Sequence, residues 1–308
     1  YPTTVKVPKL FWAIDTHQYL EEQQKKAAYF DWTFSAQKNA TTAFGANAEW
    51  LPAGASLHEQ DFGRERDIAV GFVGSISPAH TERSKVINFL KQELAGFEAH
   101  SNLFLAEKSE LVSRMKIAVN VSLNNDINFR VFETLACGAM LITDRILGNG
   151  LDEIFKDGEH LVTFANETEL LEKIRYYLAH DQERERIARA GKALVDRHYR
   201  HHHLLGRVLA RARELIALKG ASTVASPVAS PAEAAKSMTR KVSDPMAAER
   251  KCFCGGVLNN SVHQLYASCA DCGTQVLKKQ YSAEELKQFY TADGYWHERQ
   301  VAVFNFPP

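Results

Sequence analysis

From Asn124 to Thr143 the chain reads Asn124-Asn-Asp-Ile-Asn-Phe-Arg130-Val-Phe-Glu133-Thr-Leu-Ala-Cys-Gly138-Ala-Met140-Leu-Ile-Thr143. It holds a polar run, a helix start near Arg130, a glycine stop and then an apolar strand, Met140–Thr143. Another apolar run, Ile117–Val121, precedes it. Strand, helix, strand over so short a span predicts parallel neighbours joined by a crossover helix. The alternation continues outward. Short apolar runs bounded by turn residues predict strands at Leu10–Ile14, Ile68–Val73, Leu103–Leu105 and Leu161–Phe164. Between them Val86, Leu90, Leu94 and Phe97 recur at helical spacing. Leu170, Ile174, Tyr177 and Leu178 do the same behind a capping box of Asn166 and Glu169. The expected fold is α/β, with a doubly wound parallel sheet covered on both faces.

Asp181 to Leu218 reads as one charged helical region, broken near Asp196–His203. From Ala221 to Ala247 the composition turns to Ala, Ser, Pro, Thr and Lys, which cannot bury a core and predicts a linker. A small module follows from Arg250, with a helix opened by the capping box Ser282-Ala-Glu-Glu285. The expected organisation is 1–57, 58–219, 220–249 and 250–308. Hydrophobic residues make up 45% and charged residues 24% of the 308, an ordinary globular balance. The formal net charge of zero gives no pull toward nucleic acid or an anionic membrane. No apolar run is long enough to span a bilayer. A start at Tyr1 and an end in Phe304-Asn-Phe-Pro-Pro308 suggest an internal piece of a longer protein, and close cysteine pairs without a leader suggest the cytoplasm.

Ligands of doubly wound sheets sit beyond the carboxyl ends of the strands. One such end is Gly71-Phe-Val-Gly-Ser75, where Gly74 and Ser75 let a backbone approach a ligand closely, although an ordinary strand-to-helix turn reads the same way. The other is the loop before Arg130. A helix N-terminus with free N–H groups suits a pyrophosphate, and Arg130 in its first turn can add a bidentate contact. Glu133 has the reach to accept from two vicinal ribose hydroxyls. The plainer alternative is an exposed i, i+3 ion pair between Arg130 and Glu133. Near the chain start, Asp15 and His17 fall just past a strand end, where Asp15 also reads as a helix cap.

Phe129 to Thr143 resembles the donor-binding segment of group 1 glycosyltransferases, and of their spore-maturation CgeB-like branch in particular. Gly71–Ser75 resembles the first strand of that family's C-terminal domain, and Lys108-Ser-Glu-Leu-Val-Ser-Arg-Met-Lys116-Ile-Ala-Val-Asn120 the helix and strand before the donor segment. Gly150-Leu-Asp-Glu153, Gly158, the helix Glu169–Leu178 and Asp196-Arg-His198 look like its closing unit. Residues 1–57, with Trp12-Ala-Ile-Asp15-Thr-His17 and Tyr29–Lys38, look like the tail of the acceptor-side domain before a crossover at Trp50-Leu-Pro-Ala-Gly54.

The resemblance implies the C-terminal half of a GT-B fold that moves a sugar from a nucleotide-diphosphate sugar to a glycan or other acceptor. Glu133 would bind the donor ribose, and Arg130 with neighbouring amides, Asn128 among them, the diphosphate. Gly74, Ser75 and Arg83 would form the phosphate-side loop, and Lys116 could assist unless it is merely solvated. Asp15 and His17 would face the cleft. The family often carries a second glutamate eight residues before Glu133. Here that position is Asn125, followed by Asp126, so Asn125 is the candidate beside the sugar and the stereochemical course stays open. No Asp-x-Asp metal motif occurs in the α/β region, so a metal-independent clamp of cations and helix dipole is expected. A nucleotide-sugar epimerase on the same scaffold and a non-catalytic binding module are the alternatives.

Cys252-Phe-Cys254-Gly and Cys269-Ala-Asp-Cys272-Gly are two close thiol pairs, each followed by glycine, a pattern suited to a tetrahedral structural zinc site. With Ser282–Tyr290 and Gly294-Tyr-Trp-His-Glu-Arg-Gln300, this segment resembles the zinc-ribbon lead-in of AdoMet-dependent methyltransferases. That implies a bifunctional parent with a covalently continuous methyltransferase domain. Cys137, in an apolar run, reads as packing, and His198, His201, His202 and His203, set among arginines, as surface decoration.

Overall fold

The computed structural model describes residues 8–77, 80–221, 258–260, 266–269 and 275–277. The chain divides into two compact units, Lys9–Ala212 and a second composed of Tyr1–Pro8 with Arg213–Pro308.

Lys9–Ala212 contains two parallel sheets. The first consists of β1 (Leu10–Ala13), β2 (Trp32–Ser35) and β3 (Ala48–Trp50), paired in that order. A helix, α1 (Thr16–Ala27), joins β1 to β2, and a 3-10 helix (Lys38–Phe44) joins β2 to β3. The second sheet has five strands: β4 (Ile68–Val73), β5 (Phe97–His100), β6 (Met115–Asn120), β7 (Met140–Asp144) and β8 (Val162–Phe164). Its connections carry α2 (Thr81–Glu93), α3 (Leu105–Ser113), α4 (Phe129–Ala136) and the short α5 (Leu151–Ile154). After β8 come α6 (Glu167–Ala179), α7 (Asp181–His198) and α8 (His201–Ala221). The expected helical break falls at Tyr199–Arg200. Among the described residues no helix is long and apolar enough to cross a membrane.

Alternating strand residues feed two cores, as a doubly wound sheet requires. Ile117, Val119, Met140 and Ile142 pack with Val86 and Leu90 of α2 and Leu170 and Ile174 of α6. Leu141, pointing the other way, packs with Val131, Phe132 and Leu135 of α4 and Val195 of α7. Burial of each such side chain contributes about 1.5–3 kcal/mol. The core therefore holds the strand ends rigidly in place. The Asn166 side chain caps α6 by accepting from the Glu169 amide at 2.9 Å, while Glu169 accepts in return from the Ala165 amide at 2.7 Å.

The strand order is β5-β4-β6-β7-β8. The chain runs from β4 to β5 on one side and then crosses to β6 on the other. The order thus reverses between β4 and β6, and the crevice beyond their carboxyl ends is where such sheets take ligands.

One expected strand is corrected. Leu103–Leu105 does not form a strand; Leu105 opens α3, and the edge strand β5 is formed by Phe97–His100. The backbone at Leu94 leaves the helix in an extended conformation and Gly96 turns it at φ 87°, so Phe97 starts a strand instead of continuing α2.

In the second unit, β9 (Leu258–Asn260), β10 (Tyr266–Cys269) and β11 (Gln275–Leu277) form an antiparallel sheet in the order β11-β10-β9. Cys269 pairs with Leu258 in register. Cys252, Cys254 and Cys272 lie outside the described residues, as do residues 222–249 of the expected linker and the helix expected after Ser282.

Candidate functional site

At the switch point Phe72 carries a cationic pair. The Arg130 guanidinium centre is 4.8 Å from its ring and that of Arg83 is 5.8 Å away. Arg83, on α2, is buried. It donates to the carbonyls of Ser75 (3.0 Å) and Val121 (3.0 and 3.2 Å), tying the β4 end to the β6 end. Half-buried Arg130, in the first turn of α4, donates to the Val73 carbonyl at 2.6 Å and to Asn120 Oδ1 at 2.8 Å. All of these acceptors are neutral. A Cβ at Gly74 would lie 2.0 Å from Arg130 Nη2, so a side chain there would displace the guanidinium. Burial lowers the pKa of Arg83, with Asp144 and Asp126 acting against the shift. For Arg130, burial, with Arg83 close by, lowers it to about 10. The α4 N-cap, Asn128, donates to Asn120 Oδ1 at 3.3 Å and makes no side-chain cap; the Val131 amide bonds the Asn128 carbonyl at 3.2 Å, and the Phe129 and Arg130 amides have no hydrogen bond among the described residues. Two cations without carboxylate partners among the described residues, and a helix start without a side-chain cap, make a site suited to an anion.

Glu133 lies one turn further along α4 and does not pair with Arg130. Its Oε1 meets Lys108 Nζ at 2.8 Å, and Lys108 also reaches Glu59 Oε1 at 3.4 Å. Val73, Lys108, Arg130 and Glu133 line one narrow cleft. Burial would lower the pKa of Lys108, but the Glu133 and Glu59 carboxylates outweigh it and raise the pKa.

The carboxyl ends of the first sheet face those of the second. His17 Nδ1 lies 3.9 Å from Asp126 Oδ2, and the Asn39 amide donates to Asn149 Oδ1 at 3.2 Å. Lys38 pairs with Glu153. Asp126 is 6% exposed. Burial raises its pKa, nearby Asp15 adds to this, and His17 and the Gln37 amide oppose it. Asp15 and Asn125 both have left-handed backbones, at φ 59° and 52°. Such strain on non-glycine residues concentrates where a structure holds a site in place.

Asn125 is bonded to the loop after β7. Its amide donates to the Leu147 carbonyl at 2.7 Å and accepts from the Leu147 amide at 2.9 Å, while Asn149 holds its carbonyl at 2.8 Å. It pins the loop after β7, and its left-handed turn leaves the next residue, Asp126, inside the cleft. Lys116 lies away from the switch point. It stands at the amino end of β6, four residues before Asn120, and its charge acts on Asp181. Gly74, Ser75, Arg83, Asn128, Arg130 and Glu133 gather at the switch point, with Asp15 and His17 near Asp126. Cys137 is buried, and burial raises its pKa to about 12, in keeping with a packing role. Lys108, Asn120 and Asp126 are the residues added by the structure. Asn120 was readable as a polar residue closing an apolar strand. Lys108 meets Glu59 across 49 positions, which no local pattern reveals.

Residues 64–210 match a family model described as glycosyl transferase-like. No curated protein matches the sequence. Among solved structures the chain is similar to HepE of Anabaena in complex with UDP and glucose, with 15% identity and a TM-score of 0.52, over 70% of this chain and 72% of that one. It is also similar to sucrose-phosphate synthase from Thermosynechococcus elongatus, with 14% identity and a TM-score of 0.48, over 67% of this chain and 64% of that one. The pneumococcal O-GlcNAc transferase GtfA, in complex with UDP and GlcNAc, aligns at 13% identity and a TM-score of 0.46, over 65% of this chain and 48% of that one. The chain thus spans less than two thirds of the synthase and about half of GtfA. The likeness to HepE is one of fold, and that fold is the GT-B type.

Proposed function

We propose, from a GT-B fold whose residues 64–210 match a glycosyl transferase-like model, that this chain holds a nucleoside-diphosphate sugar for glycosyl transfer. The observation that carries the reading is the pair of guanidinium groups, Arg83 and Arg130, set without carboxylate partners among the described residues at the β4/β6 switch point, Arg130 against Gly74. They and the open α4 amides take the diphosphate. In the transfer, the bond from the anomeric carbon to the diphosphate oxygen breaks and its electron pair leaves with the diphosphate. An acceptor oxygen bonds to the same carbon and its proton passes to the departing diphosphate, directly or through solvent. Negative charge grows on the leaving group as the bond opens, and fixed cations stabilise it most at that stage. Glu133 takes the ribose hydroxyls. Asp126, not Asn125, is the carboxylate turned toward the sugar, with His17 opposite. Acceptor classes in surface glycan synthesis and the CgeB-like branch follow from the motif resemblance alone.

Titration calorimetry with UDP, GDP and their sugars tests the site. Glu133→Ala is expected to weaken nucleotide binding roughly a hundredfold, the loss of two hydrogen bonds to a charged acceptor. Unchanged affinity would remove Glu133 from the site. The grouping of Asp15, His17 and Asp126 favours one second reading, epimerisation of the bound sugar. Product analysis separates the two, because transfer releases free nucleoside diphosphate and epimerisation returns it still bonded to sugar.

The cysteine pairs are read as a structural zinc site. The spacing of the four thiols carries this reading; of them Cys269 alone is among the described residues, opposite Leu258 of β9. Tetrahedral thiolate zinc would supply folding energy there. Elemental analysis of the whole chain is expected to give one zinc, lost in Cys269→Ser. A protein purified without zinc that keeps its melting temperature in chelator would overturn the reading. Continuity with a methyltransferase domain rests on the resemblance of the same segment.

A further inference from the structure

We infer that Lys108 is a positioning residue that fixes the Glu133 carboxylate for a vicinal diol and keeps it away from Arg130; this rests on the nucleotide reading above. Glu133 stands three residues after Arg130 on α4, the spacing at which opposite charges pair across one helical turn. It pairs instead with Lys108 at 2.8 Å. Lys108 is itself anchored. Glu59 Oε1 lies 3.4 Å from its ammonium, and Glu59 Oε2 accepts from the Ser56 amide at 2.7 Å. Arg200, between α7 and α8, donates to the Ser56 carbonyl at 2.8 Å and also reaches the Glu59 carbonyl. The crossover segment, α3 and α4 thus meet through one ammonium. Lys108 meets Glu133 at Oε1, and the Glu133 side chain is 24% exposed where it lines the cleft, so a ligand hydroxyl can reach it.

The consequence is chemical selectivity. A Glu133 released from Lys108 would turn toward Arg130, giving up the diol contact and neutralising part of the anion site. One substitution therefore acts on both the sugar and the phosphate of a ribonucleotide, by different amounts.

The test uses the full chain with UDP and GDP, each beside its 2′-deoxy counterpart, and with inorganic pyrophosphate. Wild type is expected to prefer the ribonucleotide about tenfold, the worth of one hydrogen bond to a carboxylate. Lys108→Met should bring that preference close to one and weaken pyrophosphate only about threefold, and Lys108→Arg should restore most of it. A Lys108→Met protein that keeps the tenfold preference overturns the inference and leaves the nucleotide site standing. A wild type indifferent to the 2′-hydroxyl overturns the ribose reading and this inference with it. Lys108→Met leaves Glu59 buried without a counter-charge. If that prevents folding, the double variant with Glu59→Gln removes the charge and gives the same readout.

Discussion

Arg130→Met is expected to leave the ligand-free protein within about 1 kcal/mol of its starting stability while abolishing its response to nucleoside diphosphates. Two opposing quantities set the first half. The substitution deletes hydrogen bonds to the Val73 carbonyl and Asn120 Oδ1, worth about 1–1.5 kcal/mol each. It also removes a cation that burial and Arg83 oppose. A fall in pKa from 12.5 to about 10 corresponds to about 3 kcal/mol, less whatever solvent at the cleft mouth screens. Methionine keeps the apolar packing on Phe72. Loss and relief nearly cancel. The second half follows from the charge itself, since two fixed cations in a partly dry cleft are what the diphosphate meets. Affinity for UDP or GDP should drop at least about a hundredfold, and the thermal shift they induce should vanish. A variant that unfolds, or one that still binds normally, would make Arg130 a structural residue.

The physical character of each element decides whether it could be read from the sequence. β4, β6 and β7 are buried on both faces, so they appear as apolar runs ending in Gly74, Asn120 and Asp144. β5 is an edge strand of Phe-Glu-Ala-His, free of that demand, and the three apolar residues at Leu103–Leu105 imitate a strand better than it does. Short apolar runs carry no period that separates strand from helix start. Arg130, Glu133 and Gly74 were legible because a helix start and a glycine turn have fixed local geometry. Asn125 and Asp126 were not separable that way. Which of two adjacent loop residues faces a cleft depends on one left-handed backbone, and that is set by the Leu147 loop twenty-two positions away. The place of Lys116 away from the switch point was legible in principle. In a parallel strand its position at the amino end already puts it on the side away from the ligand.

Asp126→Asn is expected to raise stability and lower catalysis together, opposite signs from a single nearly isosteric change. Asp126 is buried, and its pKa is raised mainly by that burial, with Asp15 adding to the effect. The folded protein therefore holds this proton more tightly than the unfolded chain. Stability accordingly falls as pH rises from the ordinary carboxylate range through the raised value, and the deficit persists at neutral pH. The amide carries no charge and abolishes the deficit. At neutral pH the variant should gain about 1 kcal/mol, or about 3 °C in melting temperature, and the gain should vanish below the ordinary carboxylate range. Transfer should fall about a hundredfold at saturating donor. The amide cannot stabilise positive charge at the anomeric carbon, and it leaves His17 facing a neutral group at the 3.9 Å contact. Nucleotide affinity should stay within a factor of about three, because the proposed diphosphate and ribose contacts are at Arg83, Arg130 and Glu133. A variant that melts earlier at neutral pH would mean that the Asp126 carboxylate serves the fold through its contacts with His17 and Gln37. A stabilised variant with full turnover would move the sugar-facing carboxylate elsewhere, with Asp15 the next residue to substitute.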